Sequence, residues 1–305
     1  MRDDARGFAL IAVLWALVLA AALAAELHAG ARGDRRGAIA ARAGARARWA
    51  ARGGLAHAQD ALRAKLGSQS ATGTLPPMDT LVVPAEELDF DGVTVRVTVV
   101  DARARLQLNL AGAGELRALF AAAGVPSEQA HALAAEVVRW RVEHGPRIEA
   151  RPADTLAASL RPPPGAFRSV DVLREVRGVT PAVYAAVAPY LTVASDGHVN
   201  LNTAPPAVLL TLPGFDPAAV AAVVARRRAA PFLTPWEIAP ALPPGARERV
   251  QDRMGELIPR LAFTPREAEV RVTAAEPGRV VRATVTAVAV LAGGRQAPVS
   301  AVVER

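Results

Sequence analysis

Val93-Thr-Val-Arg-Val-Thr-Val-Val100 is β-branched at nearly every position and alternates in part, as a half-buried strand does. Segments of the same kind return only near the C-terminus, at Val270-Arg-Val-Thr273, from Arg279 to Leu291 and from Ala297 to Val303. Gly293-Gly294 reads as the turn between the last two. Between these blocks, over roughly 106–265, the pattern is helical: 115–123, 127–141, 170–176, 181–188, 205–212 and 216–228. An antiparallel sheet interrupted by a helical insertion of about 160 residues is the simplest architecture, and it is α+β.

Upstream, Gly67 to Pro77 carries the Ser, Thr, Gly and Pro of a loop. Residues 26–66 before it are rich in Ala and Arg, with Ile39, Trp49, Leu55, Leu62 and Leu66 spaced as a narrow stripe on a helix. Gly30, Gly33, Gly37, Gly44 and Gly53-Gly54 should loosen that helix at intervals, each costing up to about 1 kcal/mol against Ala. Further upstream, Phe8 to Ala25 is an unbroken apolar run of 18 residues. At a 1.5 Å rise it covers about 27 Å, enough for a bilayer core. A short charged leader ending in Arg6-Gly7 stands directly before it. A secretory signal would be cut beyond its apolar core, at small residues.

The chain of 305 residues has no cysteine, which excludes disulfide staples, thiolate metal sites and Cys nucleophiles. Its net charge of +7 is localised. Between Arg32 and Lys65 nine Lys/Arg face only Asp34 and Asp60, while 1–31 sums to −1 and 67–305 to +1. A general DNA-binding face needs a basic patch to displace counterions from phosphate, and the bulk of the chain offers none. The same arginines conflict with the topology: the positive-inside rule alone would keep the C-terminal part in the cytoplasm.

A second signal lies inside the insertion. Val199-Asn-Leu-Asn-Thr-Ala-Pro-Pro-Ala-Val-Leu209 leads to Leu212-Pro-Gly-Phe215, a helix over 218–228, and Pro231-Phe-Leu-Thr-Pro-Trp-Glu237. Thr203 is placed to cap the first helix with Pro205 in its first turn, and Gly214 to make a tight hairpin. The unit looks like a helix-hairpin-helix. A weaker copy precedes it in Phe167-Arg-Ser-Val-Asp-Val-Leu-Arg-Glu-Val-Arg-Gly-Val179, with Gly178 as its hairpin. Such hairpins bind DNA phosphate through glycines and bare N–H groups. Here Pro213 and Pro217 lack donors, Asp216 and Thr180 stand at the second-glycine position, and only Arg226–Arg228 compensate. A structural role is the better reading.

Together these pieces resemble the K-type minor pseudopilins of type II secretion systems (general secretion pathway protein K). The resemblance rests on Gly7-Phe8, on Phe167, Ser169, Asp171, Leu173 and Gly178, and on Asn200, Asn202, Thr203, Ala204, Pro205 and Gly214. It implies a prepilin leader at 1–7, cut after Gly7, with Phe8 N-methylated. It also implies a long N-terminal helix, transmembrane over 8–25 and periplasmic over 26–66. A pilin-like β domain at 75–105 and 266–305 would carry an inserted helical domain at 106–265. Most pilins have Glu at the fifth mature position; here it is Ala12, a lack shared by the K family and suited to a subunit at the tip. The implied partners are the other minor pseudopilins, the major pseudopilin, the prepilin peptidase and the inner-membrane secretion platform, with no nucleic acid. The implied location is the inner membrane, single-pass, with the C-terminal domain in the periplasm.

The chain also departs from the family. The acidic stretch around an Asp-Trp-x-Asp motif that family members often have is replaced by Arg139-Trp140-Arg141, with Glu143 the nearby acid, and Pro162-Pro-Pro-Gly165 closes a compact loop. The resemblance allows calcium, but no set of oxygen ligands can be named, so no cofactor is assigned. His28, His57, His131, His144 and His198 have no metal-ligand spacing, and no phosphate loop, nucleophile elbow or dinucleotide fingerprint is present. An enzyme is not expected. The alternatives are a membrane-anchored DNA receptor of the competence type, which has no need of the late strands, and a minor pilin of a type IV pilus.

Overall fold

The computed structural model describes residues 3–69, 86–145, 165–276, 282–290 and 299–304. A long helix α1 (Asp3–Gln69) lies across a sheet of five antiparallel strands. These are β1 (Glu86–Phe90), β2 (Val93–Asp101), β7 (Glu267–Ala275), β8 (Arg282–Val290) and β9 (Val299–Glu304), in that spatial order. The remaining strands, β3 (Leu106–Gln107), β4 (Leu191–Thr192), β5 (Val199–Asn200) and β6 (Leu261–Ala262), belong to a helical module between β2 and β7. Because β2 and β7 are neighbours, with Asp101 opposite Ala268, the module leaves and re-enters the sheet at adjacent strand ends.

Alternation explains which face is covered. Val93, Val95, Val97 and Val99 of β2, with Val270 and Val272 of β7 and Val285 of β8, are buried under α1. The helix answers with small residues, Ala43, Ala47, Ala51 and Ala58, together with Leu55 and Leu62. Each valine removed from water is worth roughly 1.5–3 kcal/mol. The glycines expected only to loosen α1 do not interrupt it. At Gly54 a Cβ would stand 2.6 Å from Val95 and 2.9 Å from Val272, so glycine is what lets helix and sheet approach this closely.

The α+β class with an open sheet and a helical insertion stands. Strand β1 was not anticipated, since Glu86-Glu-Leu-Asp-Phe90 is too acidic to advertise itself. Its hairpin with β2 turns at Asp91, φ 53°, and Gly92, φ 78°. The Gly293-Gly294 turn, the loop beyond Gln69 and Pro162–Pro164 lie outside the described residues.

One expectation is corrected. Among the described residues no helix is long and apolar enough to cross a membrane. Where its side chains are described continuously, from Gly37 to Leu62, α1 is Ala- and Arg-rich; Ala47, Ala51, Leu55, Ala58 and Leu62 pack on the sheet, while Ile39 and Trp49 of the expected stripe are exposed. The transmembrane helix at 8–25, the inner-membrane anchor and the single-pass periplasmic topology built on it are set aside on this finding.

The helical module has its own core and consists of two halves that repeat one plan. Each opens with a two-residue strand, turns over an asparagine, and runs helix, glycine hairpin, helix. Each then passes a buried phenylalanine and a 3-10 turn before a last strand pairs parallel with the first. In the first half β3 (Leu106–Gln107) pairs with β4 (Leu191–Thr192). In the second, β5 (Val199–Asn200) pairs with β6 (Leu261–Ala262).

Candidate functional site

The side chains singled out in the sequence converge on how the module is built and where it meets the sheet. Asn202 clamps the second half: its Nδ2 donates to Phe232 O at 2.8 Å and to Phe263 O at 2.9 Å, and its Oδ1 accepts from Phe232 N at 2.8 Å. Asn200 closes the turn by accepting from Asn202 N at 3.0 Å. Ala204 is buried beneath it. Asn109, which the sequence reading passed over, does the same in the first half, accepting from Phe167 N and donating to Phe167 O, both at 2.9 Å.

Two arginines, also missed as structural, complete the parallel. Arg227 Nη1 donates to Leu201 O at 2.9 Å and Ala204 O at 2.7 Å, and Arg141 Nη1 donates to Asn109 O at 2.9 Å. Burial pushes the pKa of both guanidinium groups down from the usual value. The lone signal in sequence was an arginine near the end of the long helix of each half.

The hairpins differ from the expectation in two ways. Thr203 is not the helix cap; Pro205 holds that position, and the Thr203 hydroxyl donates instead to Asp101 at 2.7 Å. The turn equivalent to Gly214 is Gly124, between the helices Ala113–Ala122 and Ser127–His144, with φ of 79° and 89° respectively. Gly178, φ 85°, turns instead between the 3-10 segment Val170–Glu175 and the helix Pro181–Val187. Around it Phe167 and Leu173 are buried, Ser169 precedes the 3-10 segment, and Asp171 accepts from the Tyr184 hydroxyl at 2.5 Å.

At Gly214 the place where a phosphate would sit belongs to the protein's own carboxylate. Asp216 accepts from Ala219 N at 2.8 Å and pairs with Arg249. Arg226 donates to Ala230 O and lies 3.4 Å from Glu237. With Arg227 turned inward, the arginine run does not present a phosphate-binding face.

The seam between module and sheet is polar. Asp101, buried at the end of β2, accepts from Asn200 Nδ2 at 2.8 Å, Thr203 Oγ1 at 2.7 Å and Arg103 N at 3.0 Å. Burial raises its pKa, and those hydrogen bonds oppose the rise. Arg103 donates to both oxygens of Asp196, at 3.1 and 2.5 Å, and to Thr264 O at 3.0 Å. Burial alone would raise Asp196, but Arg103 and His198 bring it down to about 2. Arg105 pairs with Glu269 at 2.5 Å, which also accepts from Thr192. The motif Asn200-Leu-Asn-Thr203 thus fastens the module to β2 as well as to itself.

Among the described residues no group of three or more His, Cys, Asp or Glu could hold a metal ion. Gly7, Phe8 and Ala12 lie in α1, with side chains outside the described residues.

Residues 97–196 match the family model of type II secretion system protein K. That stretch is about a third of the chain. A chain of the crystal structure of the GspK-GspI-GspJ complex from enterotoxigenic Escherichia coli aligns over 90% of this chain and 99% of that one. The TM-score is 0.56 and the identity 15%, a likeness of fold. No curated protein matches. The family matched is one of secretion rather than of DNA uptake or of pili.

Proposed function

We propose that the chain is a minor pseudopilin of a type II secretion system, a structural subunit that caps the tip of the pseudopilus in company with other minor pseudopilins. The observation that carries the reading is the direction of α1 relative to the module. Arg46 reaches Asp91 in the β1–β2 turn and Glu276 beyond the end of β7, whereas Gly54 lies against Val95, Val97 and Val272. The helix therefore advances toward the strand ends that bear the module, which stands at the end remote from Phe8. A subunit stacked by its N-terminal helix would have this bulk above it, where it obstructs any subunit arriving on top. Ala12 in place of Glu agrees, because it removes the carboxylate that would hold a neighbour's terminal amine.

The fold likeness to a GspK-GspI-GspJ complex supports partners of the I and J types. Trp15, Leu17, Leu19 and Leu23 of α1 are exposed, apolar surface of the kind that other helices cover. Tagged protein on sheared fibres should appear at one end; even labelling along the shaft would overturn the proposal. Processing by a prepilin peptidase between Gly7 and Phe8 belongs to the same reading. N-terminal sequencing should find methylated Phe8, and a retained Met1 would count against it.

A further inference from the structure

Glu267, the first residue of β7, closes the seam between module and sheet. Its side chain is buried, and its Oε2 has no hydrogen-bond partner. The groups around it come from every element that meets there: Asp101 from β2, Arg103 from the 3-10 turn Ala102–Ala104, Asp196 and His198 from the β4–β5 turn, and Arg266 beside it. Arg103 is 4.0 Å from Glu267 but already spends its donors on Asp196 and Thr264. Arg266 lies 3.4 Å from Glu267 Oε1 and 3.6 Å from Asp196, divided between the two acids. Glu269 and Arg105 neutralise each other next along the strand.

With Asp101, Asp196 and Glu267 all ionised, these carboxylates outnumber Arg103 and Arg266 by one. Asp196 is held as an anion by Arg103. Asp101 accepts three hydrogen bonds, the environment of an anion too. A proton shared into this seam therefore belongs on Glu267.

We propose that Glu267 makes the seam a proton-sensitive latch: protonated, it lets the helical module sit firmly on the sheet, and ionised, it draws water into the seam and loosens the module. Burial first, then the charge of Asp196, raises the Glu267 pKa to about 7 against the partial opposition of Arg103 and Arg266. An opened seam would return it toward the ordinary value of 4.5. The closed form thus binds the proton more tightly, and closure weakens as pH rises through this window.

Hydrogen exchange on the full chain tests this at pH 5.5 and 8, corrected for the intrinsic exchange rate. In the wild type, protection of peptides covering 101–107 and 192–203 should fall by roughly 30-fold between the two, set against amides in the module's core. Glu267→Gln should keep the seam protected at both values. His198→Asn should leave the fall in place, which separates the carboxyl of Glu267 from the neighbouring imidazole. An equal fall in Glu267→Gln, no fall in the wild type, or its loss in His198→Asn would overturn the latch. Should Glu267→Gln fail to fold, the carboxyl carbon of Glu267 decides by NMR: a midpoint near 7 supports the proposal and one below 5 sinks it.

Discussion

Asn202 makes more side-chain bonds to distant backbone than any other residue of its motif, joining Phe232 and Phe263 to the turn that opens the second half. Asn202→Ala should therefore lower stability by about 2–4 kcal/mol, from three partly buried bonds at about 1 kcal/mol each. Thr203→Val, which removes one bond to Asp101, should cost about 1 kcal/mol. Urea midpoints measured side by side check the ranking. The glycine hairpins give a second contrast. A Cβ at Gly214 would lie 2.8 Å from Arg249 O, whereas Gly124 faces open space. Gly124→Ala should cost the left-handed backbone alone, about 1 kcal/mol, and Gly214→Ala clearly more in the same melts. Asp196 adds an acid limb. Its folded pKa of about 2 lies below the ordinary 3.8, so its contribution is fully present above that value and is lost as pH falls through 2. Asp196→Asn should flatten stability between about pH 4 and 2 and reduce it at neutrality by about 2 kcal/mol, visible in denaturant curves taken across that range. At this scale the sequence showed which polar residues mattered in the second half, because Asn-Leu-Asn-Thr-Ala-Pro is compact. It could not show Thr203 reaching Asp101, or Asn109 reaching Phe167, because a bond across 58 or 102 residues leaves no local pattern.

Among the elements, α1 and its sheet were legible in outline, the strands from β-branched alternation and the helix from alanine and arginine. Their contact was not. A run of glycines reads locally as weakness, yet Gly54 faces Val95 and Val272 at distances that exclude any side chain. Gly54→Val should push the helix from the sheet at a cost of about 3 kcal/mol or more, while Gly37→Ala, with nothing within 4 Å, should stabilise by up to about 1 kcal/mol. Thermal melts of the pair separate packing from propensity. The membrane reading failed at this level as well: it rested on the apolar run at 8–25 and on the Gly7-Phe8 junction that opens it, and no described helix meets the length and apolarity of a span. The acidic strand β1 shows the converse: tertiary pairing with β2 imposes a strand where composition argues against one.

For the whole molecule, the insertion of helices between strands was readable because the two periodicities, alternating and helical, occupy separate blocks of sequence. That the insertion repeats itself was only half seen. The copy was sought around Gly178, whereas the matching hairpin is Gly124, hidden by a long helix that carries no proline before the turn. The adjacency of β2 and β7 has a kinetic consequence. Their pairing joins residues such as Asp101 and Ala268, and closing a flexible loop of that length would cost about 4–5 kcal/mol in chain entropy. A helical module that folds first has already brought its two ends together, and the loop to be closed shrinks to a few residues. Pulse-labelled refolding should show amides of the helices Ser127–His144 and Pro217–Ala229 protected before those of β2 and β7. Folding thus has an imposed order, with the central pair of the sheet waiting on the segment that separates its strands in sequence.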